Sequence, residues 1–268
     1  MGKDNLLLKG GSKKMSAQKK VKVLLVGETW IVSKFHIKGF DVVPLGGFED
    51  FAMWFKDAMK SFPDLELTHM PNHIALTLFP NNLAELQKYD VIILSDVGRN
   101  TLTFYPDMFK VPMGPDKLKL IQEFVKKGGG LSMCGGWMSF QGFRSMANYH
   151  NSPMEEILPV SLYEGDDRVE TTEGMKPKIV KDHSILQGIP KTEWPAFLGY
   201  NRLMAKDNTE LIATIGEKDV FIALGEHGKG RTMAFASDLA PHWGCDFVRW
   251  QYYGTFWYQS IKWLAQVI

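Results

Sequence analysis

Leu131-Ser132-Met133-Cys134-Gly135-Gly136-Trp137 is the stretch on which the reading of this chain turns. Lys126-Lys127-Gly128-Gly129-Gly130 closes a helix in front of it, a short apolar strand follows, and Cys134 stands where that strand must turn. Gly135 and Gly136 let the backbone reverse before the next helical segment. A strand–turn–helix of this kind is a nucleophile elbow, which holds one side chain exposed above a parallel sheet. It also aims the N–H groups after the turn, and the start of the next helix, at one point. A thiolate or a developing oxyanion is stabilised there. The same residues also read as a buried cysteine packed in a strand-to-helix turn.

Outward from this stretch, Val21 to Val26 is a nearly continuous apolar run, as a parallel strand buried on both faces requires. Glu28 follows at its carboxyl end, where open α/β sheets bind ligands. Phe48, Phe51, Ala52, Phe55 and Met59 recur at helical spacing and predict an amphipathic helix over 48–60. Pro63-Asp64 breaks that helix before a strand at Leu65-Glu66-Leu67. Asn82 caps a short helix through Gln87. Val91 to Leu94 is another buried strand, running into Ser95-Asp96-Val97-Gly98. Leu118, Ile121, Phe124 and Val125 mark the next helix. Alternation of strand and helix predicts an α/β fold, a mostly parallel sheet with helices on its faces.

From about residue 151 the texture changes. Pro153, Pro159, Pro177, Pro190 and Pro195 punctuate an irregular excursion over 151–200 that decorates the sheet. Strands return at Leu211–Ile215, Val220–Leu224 and Arg231–Ala236, the last two joined by the hairpin turn Glu226-His227-Gly228-Lys229-Gly230. A polar loop with Asp238, His242, Trp243 and Asp246 comes next. Phe247 to Val267 is the predicted terminal helix, apolar around much of its circumference through Trp250, Trp257 and Trp263. Such a helix is buried in its own subunit or against another. Its aromatic surface predicts a homo-oligomer.

With 268 residues, 45% of them hydrophobic and 12% aromatic, the chain can bury a substantial core. Residues 1–20 read as a disordered or vector-derived leader, and 21–268 as a single domain. Met1–Lys14 holds four lysines against one aspartate; without it 27 basic residues face 29 acidic ones. That balance leaves no electrostatic footprint for nucleic acid. Leu6-Leu7-Leu8 is too short for a signal-peptide core, and no apolar run reaches membrane-spanning length. A cytoplasmic protein without membrane partners is expected. Cys134 and Cys245 are the two cysteines, too few for a disulfide framework or a cysteine-based zinc site. His36, His69 and His73 lack metal-ligand spacing. No metal and no cofactor are expected.

The strand-end groups Glu28, Asp96, Gly98 and Cys134, with His242, form a pattern that resembles the class I glutamine amidotransferase-like superfamily, and within it a group of bacterial cytoplasmic proteins. The resemblance spans roughly residues 20–268. It rests on Y-D-V-I-I-L-S-D-V-G-R-N-T-L (89–102), S-M-C-G-G-W (132–137), I-L-P-V (157–160) and D-D-R-V-E (166–170). It continues through D-H-S-I-L-Q-G-I (182–189), G-Y-N (199–201) and S-D-L-A-P-H-W-G (237–244). It implies a flavodoxin-like three-layer sandwich with a β-rich extension after the elbow. The chain departs from the amidotransferase pattern at Ser132, where glycine is usual, at Met138, where glutamine is usual, and at Gly244, where the triad glutamate stands. Asp238, Asp246 and Glu28 are the candidates to orient His242 in its place.

Residues and resemblance together predict a cysteine-dependent, amidotransferase-like hydrolase acting on a small amide, ester or thioester. Cys134 attacks the carbonyl carbon, His242 carries the proton, and the Gly135 and Gly98 N–H groups hold the oxyanion. Glu28 is the third catalytic candidate, and Asp96, Trp137 and Trp243 line the pocket. The alternative is a non-catalytic ligand-binding or assembly protein that keeps the fold. Loss of the glutamate at 244 and the glycine at 132 favours that alternative; the retained cysteine, histidine and strand-end acids favour the hydrolase.

Overall fold

The computed structural model describes residues 19–110 and 113–268; most of the leader expected over 1–20 lies outside the described residues. The apolar run β1 (Val21–Gly27) is buried along nearly its whole length, as expected. The chain then leaves the sheet as a long hairpin, β2 (Thr29–Lys38) and β3 (Asp41–Asp50), paired over all ten positions. It returns where Phe51 and Ala52 donate their N–H groups to the Glu28 carbonyl, at 3.0 and 3.2 Å. This hairpin corrects the helix expected over 48–60. Phe48 belongs to β3, and α1 spans only Met53–Met59.

The alternation expected from sequence follows. β4 (Leu65–Met70), α2 (Asn72–Leu78), α3 (Leu83–Leu86), β5 (Val91–Ser95), α4 (Arg99–Thr103), α5 (Lys117–Lys126) and β6 (Gly130–Cys134) succeed one another. Asn82 caps α3 by accepting from the Glu85 N–H. No helix follows Cys134. Residues 135–142 are turns and bends, leading to a single 3-10 turn at Phe143–Ser145. The helix dipole expected behind the cysteine is therefore absent.

The excursion over 151–200 holds more regular structure than its prolines suggested. It contains α6 (Pro153–Ile157), β7 (Val160–Leu162), β8 (Arg168–Met175), β9 (Lys178–Ile179) and β10 (Phe197–Asn201). β10 pairs with β8, and β7 pairs with β11 (Leu203–Ala205). Then come β12 (Glu210–Ile215), β13 (Asp219–His227), β14 (Gly230–Phe235) and α7 (Tyr253–Leu264).

The main sheet has eight strands in the order β4-β1-β5-β6-β14-β13-β12-β9. The first five run parallel, and the β14–β13–β12–β9 side is antiparallel. This is an α/β sheet of flavodoxin-like type with an antiparallel extension. Register sets Gly27 beside Ser95, Ser95 beside Cys134, and Cys134 beside Phe235. Glu28, Asp96, Gly135 and Ala236 therefore leave four neighbouring strands at one carboxyl edge.

The terminal helix is shorter than expected: Phe247–Arg249 is a 3-10 turn, and α7 starts at Tyr253. Its aromatics are internal. Phe256 and Trp257 are fully buried, Phe55 of α1 packs edge-on to Trp257 at 5.7 Å, and Trp263 is 6% exposed. That burial removes the reason for expecting an oligomer through this helix.

Candidate functional site

Three acids at the carboxyl edge converge. Glu28, Asp96 and Asp238 are all buried, at 3, 7 and 4% exposure. They line one cavity of about 140 Å³, whose walls are completed by Trp30, Glu49, Phe51, Pro241 and His242. The backbone is left-handed at three of these positions, with φ of 54° at Glu28, 47° at Asp96 and 94° at His242. Each such residue costs about 1–3 kcal/mol and persists only where its surroundings over-determine it. Gly136 makes the approach of two acids possible: at φ 141°, a Cβ there would stand 2.7 Å from Asp96 Oδ1 and 2.8 Å from Asp238 Oδ1.

Burial pushes all three carboxyls above the usual range. Glu28 is raised well above it by burial and by the charges of Asp96 and Asp238, against a hydrogen bond from the Ser95 hydroxyl. Asp238 is raised in the same way by burial and Asp96, against the Trp243 N–H that it accepts at 2.9 Å. Asp96 is raised by burial, although it accepts the Met138 N–H at 2.6 Å.

His242 sits on the open side of this cluster, its side chain 38% exposed. Its Nδ1 lies 2.9 Å from Asp238 Oδ2, so Asp238 is the candidate orienter that hydrogen-bonds the ring. Asp246 is exposed and has no hydrogen bond to His242 among the described residues. Burial lowers the His242 pKa, opposed by the charges of Asp96 and Glu170. Trp137 meets the imidazole edge-on at 5.0 Å, and Trp243 stacks on it at 5.3 Å.

Cys134 is in a different situation. Its side chain is fully buried, and the Ser132 hydroxyl lies 3.8 Å from its sulfur. Burial pushes the thiol far up, and the Glu28 charge adds to this. Of the two expected oxyanion donors, the Gly135 N–H is occupied, and so is the neighbouring Gly136 N–H. The Gly135 N–H donates to the carbonyls of Phe235 and Ser237 at 2.8 and 2.9 Å, and the Gly136 N–H donates to Asn201 Oδ1 at 2.9 Å. Gly98 opens α4 and packs so closely on Met138 that a Cβ there would lie 2.7 Å from its terminal methyl. No hydrogen bond joins Cys134 to His242 among the described residues, and Cys134 is not in the cavity wall.

A second tier holds the turn after Cys134 in place. Asn201 is fully buried and donates to Asp167 Oδ1 at 2.7 Å. Asp167 in turn accepts the N–H groups of Gln141 and Gly142 at 2.9 and 2.8 Å. Glu170 accepts both indole N–H groups, from Trp137 at 2.8 Å and Trp243 at 3.0 Å. Asn201, Asp167 and Glu170 lie in the stretches 166–170 and 199–201 on which the resemblance rests, although none of the three was a candidate site residue. Trp30, Glu49 and Phe51 carried no comparable signal. Among the described residues, no group of three His, Cys, Asp or Glu side chains is arranged to hold a metal ion, and no helix is long and apolar enough to cross a membrane.

Comparison with known proteins agrees with this architecture. A family described as "Putative glutamine amidotransferase" matches residues 22–266, and the chain belongs to that family. Two solved structures, both named as cytoplasmic proteins of Salmonella typhimurium, are each 37% identical to it with a TM-score of 0.86. Each alignment covers 91% of this chain and 99% of the other. A ThuA-like protein of Parabacteroides merdae shares the fold alone, at 10% identity and a TM-score of 0.54 over 93% of this chain and 91% of its own. No curated protein matches the chain.

Proposed function

We propose that this family member binds a small ligand bearing a cationic amine in the cavity beside Glu28, and that Cys134 is not a nucleophile. The observation that carries the reading is the gathering of Glu28, Asp96 and Asp238, all buried, around one open space. Buried carboxyls that repel one another gain most from a positively charged N–H donor, which answers both desolvation and repulsion. Trp30 and Phe51 supply an aromatic wall for the ligand body, and ring faces attract a cation further. The cavity suits a ligand of about six heavy atoms, since about 150 Å³ accommodates benzene. Left-handed backbone at three lining residues fits a site whose geometry is held for use rather than for stability. The relatives named as cytoplasmic proteins support the same compartment for this chain.

Hydrolysis of a small amide through Cys134 is the second reading. It is favoured by the Asp238–His242 hydrogen bond, which fixes an imidazole as general bases are fixed. Against it stand the buried thiol, the raised thiol pKa and the occupied Gly135 and Gly136 N–H groups.

Calorimetric titration with ethanolamine near neutral pH separates the two. Expected is saturable binding with proton release, because the ammonium ion favours ionised carboxylates. Asp96→Asn weakens it by about tenfold or more, equivalent to about 1.4 kcal/mol, and Cys134→Ala leaves it unchanged. Absence of binding, with ammonia released from glutamine only when Cys134 is present, contradicts the proposal and supports the hydrolase.

A further inference from the structure

The ribbon of β2 and β3 contributes no residue to the hydrophobic core beyond its root, and its two faces differ. Strand alternation puts Ile31, Phe35 and Ile37 on one face, opposite Phe48, Pro44 and Val42 in register. Phe35, Ile37 and Val42 are 63, 74 and 55% exposed. The other face is mixed: it sets Lys34, His36, Lys38, Asp41 and Glu49 among Trp30, Val32, Val43 and Leu45, so only the first face is free of charge. A two-stranded ribbon of about 34 Å is marginal in water unless its apolar face is covered. An exposed apolar surface of this extent marks an interface.

The face itself points to its occupant. It carries no charge that would select an acidic or basic partner. Ser33 opposite Gly46 makes a shallow notch between the Ile31–Phe48 pair on the root side and the Phe35–Pro44 pair on the tip side. A twofold rotation through that notch lays the larger pairs of one ribbon over those of another, which is the self-complementarity of an isologous dimer. The same rotation carries the fully exposed Phe40 at the tip to the root of the second ribbon. There α2 packs beside the apolar face, with His73 edge-on to Phe48 at 5.4 Å, and exposes Leu76 and Leu78. The eight residues of that face, with Phe40, Leu76 and Leu78, are about half of the roughly 20–30 residues that one side of a standard interface uses, the size of a small self-association surface.

We propose that two copies of this chain form a twofold dimer in which the apolar ribbon faces pack antiparallel about the Ser33–Gly46 pair, each tip seated on the partner's α2. Trp30 and Glu49 at the ribbon root are also walls of the cavity, so the dimer braces one side of each candidate site.

Sedimentation at micromolar concentration tests this. Expected is a species of twice the 30.4 kDa chain mass. Phe35→Asp with Ile37→Asp gives a monomer with unchanged near-ultraviolet dichroism, its dissociation constant raised by about a hundredfold or more. Lys34→Ser with His36→Ser, on the other face, leaves the dimer intact. Ser33→Cys in a Cys245→Ser background gives a disulfide-linked dimer on mild oxidation, and decides the matter alone if the aspartate variant does not fold. A monomeric wild type, an aspartate variant of wild-type mass, or a dimer that Ser33→Cys does not cross-link overturns the proposal.

Discussion

Cys134 and His242 belong to the same edge of one sheet, yet they meet different surroundings. The cysteine closes β6, capped by a turn whose first two N–H groups, those of Gly135 and Gly136, already have acceptors, and its sulfur faces Ser132 with Glu28 close by. The histidine stands in the loop after β14, half open, held by Asp238 and flanked by two indoles. Parallel register brings strand ends into line, but the segments folded over that line decide which of them meets a ligand. Here Asp167, Asn201 and Gly136 close the turn over Cys134 and leave the cavity to the acids.

The comparison breaks most severely if that cover is removed. Asp167→Ala leaves the N–H groups of Gln141 and Gly142 unpartnered in the interior and removes the shortest bond of the Asn201 amide. At about 1–3 kcal/mol for each of the two buried donors left without a partner, the loss is about 2 kcal/mol or more in a denaturant titration. Cys134 should then become reactive toward alkylating agents before the protein unfolds.

A smaller effect separates the two regions through pH. Glu28, Asp96 and Asp238 all hold their protons more tightly in the folded chain than in the unfolded one. Between the unfolded carboxyl value near 4 and the raised folded values, the native state carries more protons. Stability therefore falls as pH rises through that window. Glu28→Gln should flatten the fall and be stabilising on its alkaline side, as read from thermal midpoints across pH. A profile that rises through the same window, or one unchanged by Glu28→Gln, shows that the acids are solvated.

The smallest effect concerns His242 alone. The Glu170 charge raises the imidazole pKa. Glu170→Gln should therefore lower the His242 titration midpoint by less than about one unit, on the usual scale of a single partly exposed neighbour. Proton resonance of the imidazole reads this directly. A midpoint that stays or rises means that Glu170 acts only through its indole donors.

The parallel core was legible because β1, β5 and β6 are buried on both faces and so read as unbroken apolar runs. The acids of the site were legible for the same reason, since a strand that ends marks where its carboxyl edge lies. The ribbon was not. Phe48 and Phe51 stand three apart and imitate a helix, although Phe48 lies in a strand and Phe51 is the turn that returns to Glu28. Trp30 and Glu49 entered the cavity wall through that hairpin and had no local mark. The burial of Cys134 was hidden for a different reason. It depends on Asn201, which meets Gly136 across 65 positions of sequence, and local spacing carries no record of such a contact.

The account rests on Cys134 being closed and neutral while the acids beside it are open to a ligand. The most direct test is the pH dependence of iodoacetamide labelling at Cys134 in a Cys245→Ser background. Burial with no helix dipole and no imidazole partner predicts labelling far slower than that of a free cysteine, whose pKa is about 8.5, at every pH where the fold persists. It also predicts no change on His242→Ala. Labelling near neutral pH that outpaces a free thiol and collapses in His242→Ala would contradict the account and restore Cys134 as a nucleophile.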